Sequence, residues 1–126
     1  MKKILLIVLI ILGGTKFNYS QNSDCKKWKN GSFYMITDDG YIIDIERKGN
    51  RQTERSGKDN SSALLRIMWK SPCTYELSLW GAPKTGERGP VILVTIYETY
   101  EDHCMIEVKS NLGPEIQRAP FYRKKK

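Results

Sequence analysis

The sequence predicts an all-β fold, a single antiparallel meander of seven or eight short strands. Val, Ile, Tyr, Trp and Thr are frequent after residue 24, and turn residues recur about every eight to twelve positions. No segment of useful length has the apolar spacing of an amphipathic helix. Long strands that share one apolar face favour a small, partly closed barrel, and a two-layer sandwich is the alternative.

Alternation of apolar and polar residues marks the first strands. An Asp39-Gly40 step favours a hairpin between strands one and two because glycine accepts positive φ freely. Ile43 and Ile45 alternate with acidic residues, which is typical of a half-buried second strand, and the third strand is polar throughout. The predicted strands cover residues 32–37, 41–48, 51–56, 64–70, 73–80, 91–101, 104–109 and 115–123.

The second half continues the same pattern. Strand four has three apolar residues on one face, and Ser71-Pro72 then turns the chain into strand five. Residues 81–90 hold three glycines and two prolines, so they form the longest loop. Strand six is apolar on both faces at first, as in a central or strongly curved strand, and strand seven alternates. Pro120 makes the last strand an edge strand, because proline cannot donate to a ladder.

The first twenty residues predict a secretory signal peptide. Lys2 and Lys3 precede a nine-residue apolar run over 4–12, whereas a membrane-spanning helix needs about 20 residues. Cleavage after Ser20 leaves a β-domain over 21–122 and a basic tail over 123–126. We therefore expect an exported protein, periplasmic or secreted, with no transmembrane segment in the mature chain.

The charge of the chain is unevenly distributed. The formal net charge is +7, but three basic residues lie in the predicted leader and four in the tail, so the 14 basic residues of 21–122 balance the 14 acidic residues. A nucleic-acid-binding protein usually has a basic stripe across its folded surface, and no such excess is present. The tail is expected to be solvated, with weak attraction to an anionic lipid or polysaccharide surface as the alternative.

The mature chain has three cysteines, Cys25, Cys73 and Cys104. Thiols tend to pair outside the cytoplasm, and an odd number leaves one unpaired. A Cys-x-x-Cys spacing, which redox enzymes use, does not occur. The residues before Cys25 lack the pattern of a lipid-anchor signal, so we expect a soluble protein that is not lipid-anchored.

Four segments carry a resemblance to a known family. They are CKKWKNGSF over 25–33, IER over 45–47, RQTE over 51–54 and IMWKSPCTYEL over 67–77. In this order they resemble a family of short, exported, uncharacterised bacterial proteins, some of which carry a DNA topoisomerase IV label. The resemblance implies that Cys25 and Cys73 are the characteristic pair and that Cys104 is an addition. It implies no activity, and a small exported domain without an ATP-binding region does not support the topoisomerase label.

The residues predict no catalytic site, so we do not expect an enzyme, a cofactor or a bound metal. His103 is the only histidine and lies in a predicted turn. A hydrolytic triad needs a base beside a nucleophile, and the adjacent Cys104 would point to the opposite face of the strand. A metal site needs several such ligands at suitable spacing.

Four residues are candidates for ligand binding: Arg47, Glu54, Trp69 and Trp80. Arg47 lies on the same face as Ile45, so it would point into a barrel, where it needs a partner. We expect Glu54 to be that partner across the hairpin. The pair would either close one end of the barrel as a structural bridge or recognise an anion at a cavity mouth. Trp69 is expected in the core, and Trp80, beside the 81–90 loop, as an exposed contact.

These features together predict a small exported binding protein without enzymatic activity. Its ligand would be a small apolar or anionic molecule, or a component of the cell envelope such as another protein. A lipocalin-like barrel of about eight strands is just large enough to hold one small ligand. The alternative is an inhibitor or protein-interaction module that acts through the 81–90 loop.

Overall fold

A computed structural model of the protein describes residues 25–82 and 89–125. The chain forms a closed barrel of antiparallel strands joined in sequence order, which confirms the all-β meander and selects the barrel over the sandwich. The predicted leader, the tip of the 81–90 loop and Lys126 lie outside the described residues. The elements are the 3₁₀ helix η1 (Cys25–Trp28) and the strands β1 (Gly31–Ile36), β2 (Ile42–Lys48), β3 (Arg51–Ser56), β4 (Ser62–Ser71), β5 (Thr74–Leu79), β6 (Val91–Thr99), β7 (His103–Ser110) and β8 (Ile116–Arg123).

Two local features differ from the predicted strands. η1 was not expected, because four residues are too short to show helical periodicity. β6 ends at Thr99, two residues before the predicted end, and its register shifts between Ile96 and Glu98. Such a bulge bends a strand, which agrees with the expected curvature of this segment.

The two ends of the barrel are different. At one end, which we call the plugged end, η1 lies beside the β2–β3, β4–β5 and β6–β7 turns. The Trp28 side chain is fully buried there, with its ring centroid 5.7 Å from that of Phe33 and 6.2 Å from that of Phe121. The β1–β2, β3–β4, β5–β6 and β7–β8 connections lie at the other end, which we call the rim.

A disulfide holds the plug in place. Cys25 of η1 is bonded to Cys73 in the β4–β5 turn, with a Cα–Cα distance of 5.4 Å. This is the pair that the family resemblance implies. Cys104 is a free, buried cysteine on β7.

The barrel closes through a short seam between β1 and β8. These strands share two register pairs, Phe33 with Arg123 and Tyr34 with Tyr122, whereas β1 and β2 share six. Continuing the same register would set Pro120 against β1, and proline has no N–H to donate. The expected edge strand is nevertheless wrong, because β8 pairs with β7 on one side and with β1 on the other.

Candidate functional site

Arg47 is the centre of a buried hydrogen-bond network at the plugged end. Its side chain is 3% exposed and points inward from β2. Nε donates to Gln52 Oε1 at 2.7 Å, Nη1 to the Trp28 carbonyl at 2.8 Å and Nη2 to the Tyr75 hydroxyl at 2.5 Å. The guanidinium carbon also lies 4.4 Å from the ring centroid of Tyr75 and 4.6 Å from that of Phe121. Each nitrogen of the guanidinium group thus has a partner inside the protein, and the network fixes η1 to the barrel.

Glu54 does not pair with Arg47 directly, which corrects the expected bridge. Gln52 lies between them: it accepts from Arg47 and donates from Nε2 to Glu54 Oε2 at 2.8 Å. The register explains this arrangement, because Gln52 is directly opposite Arg47 while Glu54 is opposite Ile45. Burial raises the pKa of Glu54, and the Gln52 hydrogen bond and the Arg47 charge act in the opposite direction.

Trp69 is half-buried and packs against the hydrophobic core. Its ring centroid is 4.7 Å from that of Tyr75, and Lys29 Nζ lies 5.0 Å from the ring. Among the described residues, the buried indole N–H groups of Trp69 and Trp28 have no hydrogen-bond acceptor. Burying such a donor without a partner costs about 1–3 kcal/mol, which the packing of these large rings must offset.

Trp80 is exposed on the outer surface near the rim. Its side chain is 38% exposed, and its backbone N–H donates to the Leu64 carbonyl at 3.2 Å. Two guanidinium groups flank the ring: Cζ of Arg51 lies 5.1 Å from its centroid and Cζ of Arg66 lies 5.6 Å away. The sequence did not identify Arg66 as a site residue, because only the β3–β4 register sets it beside Arg51.

Exposed apolar side chains are concentrated at the rim. Among the described residues, eight of the nine large apolar side chains that are exposed belong to this end, and Tyr100 lies at the plugged end. We call the eight the apolar rim. They are Ile36, Tyr41, Ile42, Leu64, Leu79, Trp80, Leu112 and Ile116.

A groove of about 1280 Å³ lies at the plugged end. Basic residues that line it, including Lys27 and Lys125, face the carboxylates of Glu101 and Asp102, so its charges partly neutralise one another. Asp102 Oδ1 lies 2.7 Å from His103 Nδ1, and this contact lowers the pKa of Asp102.

The residues of the predicted basic tail are partly held against the barrel. Arg123 belongs to β8, one residue beyond the predicted end of the β-domain, and its Cζ lies 5.8 Å from the Trp28 ring centroid. Lys124 Nζ pairs with Asp44 at 2.6 Å. Arg123 and Lys124 therefore have contacts on the folded domain.

Cys104 is a buried thiol of the hydrophobic core, close enough to Arg47 for the guanidinium charge to act on its pKa. It is fully buried, and burial raises its pKa to about 12, so it is a thiol at neutral pH. Over residues 25–82 and 89–125, no group of three or more His, Cys, Asp or Glu residues is arranged to hold a metal ion. In the same part of the chain, no helix is long and apolar enough to cross a membrane.

The four candidate residues do not converge on one site. Arg47 and Glu54 belong to an internal network, Trp69 packs beside it, and Trp80 lies on the outer surface. Gln52 and Tyr75, which complete the network, were not identified from the sequence, because their role depends on which donors Arg47 reaches. Comparison of the chain with protein-family models, curated proteins and solved structures gave no match.

Proposed function

We propose that the protein is an exported, non-enzymatic binding module that docks another protein of the same compartment through its apolar rim. The observation that carries the proposal is the uneven distribution of exposed apolar side chains between the two ends of the barrel. Exposed large apolar side chains that concentrate at one end of a small domain favour an interaction site there. The rim includes Leu79 at 53% exposure and Ile116 at 52%, each at the end of a strand.

The internal network supports a surface site over an anion site inside the barrel. An arginine that recognises a ligand needs free N–H groups directed at the binding site. Arg47 instead directs three N–H groups, one from each nitrogen, at Gln52, Trp28 and Tyr75 inside the protein. Its role is therefore to fasten the plug, and the recognition of a partner falls to the outer surface.

The proposed surface adjoins the 81–90 loop. This loop follows Trp80 and returns to the barrel before β6, so its two ends lie at the rim. A protein that docks on Leu79 and Trp80 would also meet the loop. The Cys25–Cys73 pairing further supports the proposed kinship with short exported bacterial proteins.

Site-specific photo-cross-linking in cells that produce the full chain tests the proposal. A photoreactive phenylalanine analogue replaces Leu79 or Ile116 at the rim, and Tyr100, which is 47% exposed at the plugged end, serves as the matched control position. We expect a discrete cross-linked protein from both rim positions and none from position 100. The same products from all three positions, or no product from the rim, would contradict the proposal.

A further inference from the structure

Three positive charges lie in one cross-strand row on the outside of the barrel. Lys48 is directly opposite Arg51 in the β2–β3 pair, and Arg51 is directly opposite Arg66 in the β3–β4 pair. Arg47 and Gln52 point inward, so side-chain alternation places Lys48 and Arg51 on the outer face. Like charges directly opposite each other destabilise a sheet. The ion pairs of the described residues include none of these three cations.

The two arginines are held in place by uncharged partners. Both guanidinium groups lie over the Trp80 ring, and Arg66 Nη1 donates to the Ala82 carbonyl at 2.9 Å. A cation–π contact does not use a guanidinium N–H as a hydrogen-bond donor, so N–H groups stay available to an anion. The arrangement is therefore organised before an anion arrives, so that less side-chain entropy is lost on binding.

We infer that Lys48, Arg51, Arg66 and Trp80 form a binding site for carboxylate groups of the partner protein, an inference that rests on the proposed function. The segment recognised is acidic and also carries apolar side chains. Leu64 is 39% exposed, and its carbonyl accepts from the Trp80 N–H, so the cationic row adjoins exposed apolar surface at Leu64 and Trp80. A sulfated polysaccharide or a lipid headgroup would satisfy the charges and leave this apolar surface uncovered.

The excess of positive charge in the row is local, because the domain as a whole is balanced in charge. Residues 21–122 have as many acidic as basic residues. Arg55 on the same strand has a carboxylate residue directly opposite, Asp44, whose ion pair is with Lys124. The row has cations opposite cations instead, and two of its arginines share an exposed tryptophan, which favours recognition of an anion over general solubility.

Binding of model peptides to the purified protein tests the inference. The probe is an end-blocked, fluorescein-labelled peptide of alternating Glu and Leu, compared with the matched Gln and Leu peptide, dextran sulfate and phosphatidylglycerol vesicles. The protein variants are Arg51→Gln/Arg66→Gln and, as a control on the same strand, Arg55→Gln. We expect the acidic peptide to bind at least about tenfold more weakly to the double variant, and Arg55→Gln to bind within about twofold of the original protein.

Three outcomes would overturn the inference. The first is an equal loss of affinity for the acidic peptide in the double variant and in Arg55→Gln. The second is tight binding of dextran sulfate or vesicles without binding of the acidic peptide. The third is that no probe binds. All the replaced side chains lie on the outer face, and thermal melting checks that the variants fold.

The cross-linking assay separates this inference from the proposed function. If the photoreactive group at position 79 captures the same protein in the original chain and in Arg51→Gln/Arg66→Gln, the docking surface stands and the carboxylate site fails. If it captures nothing in the original chain, the proposed function fails, while the peptide measurements still decide whether the row binds carboxylates.

Discussion

Replacing Arg47 by methionine tests whether this residue holds the fold together. Methionine has a similar length and keeps an apolar stem beside Tyr75 and Phe121, but it cannot donate a hydrogen bond. The change leaves three buried acceptors without their donor: Gln52 Oε1, the Trp28 carbonyl and the Tyr75 hydroxyl. Replacing a residue that only bound a ligand would leave no buried acceptors without a donor inside the protein.

The expected loss of stability follows from these contacts. Hydrogen bonds to a charged group contribute about 1.5–3 kcal/mol each, and part of the sum is offset because the variant no longer buries a charge. We expect a net loss of about 4 kcal/mol, near the lower end of the sum for three such bonds. A domain of this size is typically stable by about 5–15 kcal/mol, so the variant would be marginal.

Urea unfolding of the disulfide-bonded protein measures this loss. With a typical urea dependence, we expect the midpoint for Arg47→Met to fall by about 2–3 M. Arg55→Met removes the same charge from the exposed face of the neighbouring strand, and its effect should stay within about 0.5 kcal/mol. A loss below about 1 kcal/mol for Arg47→Met would refute the structural role and return Arg47 to the set of candidate ligand-binding residues.

Three further predictions concern other parts of the barrel. Burial raises the pKa of Glu54 above its ordinary value of 4.5. The folded chain therefore binds the Glu54 proton more tightly than the unfolded chain does, and the stability that this proton contributes is lost as the pH rises through the raised pKa. Urea unfolding at about pH 4 and about pH 7 should therefore show a smaller fall in stability for Glu54→Gln than for the original protein, and equal falls would contradict the assignment. Reduction of Cys25–Cys73, whose partners are 48 residues apart, should lower the free energy of unfolding by about 4 kcal/mol in the loop-entropy model, and an unchanged urea midpoint after reduction would contradict this. A Cβ at Gly57 would lie 2.8 Å from a backbone carbonyl oxygen of β2, so Gly57→Ala should lower the free energy of unfolding by about 1–3 kcal/mol. A Cβ at Gly113 would meet nothing within 4 Å, so Gly113→Ala should cost much less. Similar melting temperatures for the two variants would show that the turn at Gly57 relaxes freely.

The sequence predicts the strands well because most of them are marked by local alternation of apolar and polar residues and are bounded by turn residues. Ile43 and Ile45 face inward as their spacing requires, and the Asp39-Gly40 turn forms with Gly40 at a φ of +89°. The closure of the barrel is harder to predict, because it depends on the pairing of β1 with β8, which are separated by nearly the whole domain. This pairing leaves no local pattern in the sequence of either strand, so the sequence alone did not exclude a sandwich.

The candidate site was only partly predictable for a related reason. Alternation correctly places Arg47 inside the barrel, and burial requires it to have a partner. Which neighbour supplies that partner depends on the β2–β3 register, which sets Gln52 and not Glu54 opposite Arg47. Arg66 and Arg51 are 15 positions apart and become neighbours only through strand pairing, so their relation to Trp80 could not be read from spacing alone.

The short seam between β1 and β8 determines where the barrel can open. β1 is joined to β2 by six register pairs and to β8 by two, so separation of the first and last strands disrupts the fewest pairs. When the seam opens, the disulfide still keeps η1 attached to the β4–β5 turn. The opening would nevertheless uncover the Trp28 ring, because Phe33 of β1 and Phe121 of β8 pack against it. In hydrogen exchange, the amides along this seam should exchange first among those of the strands.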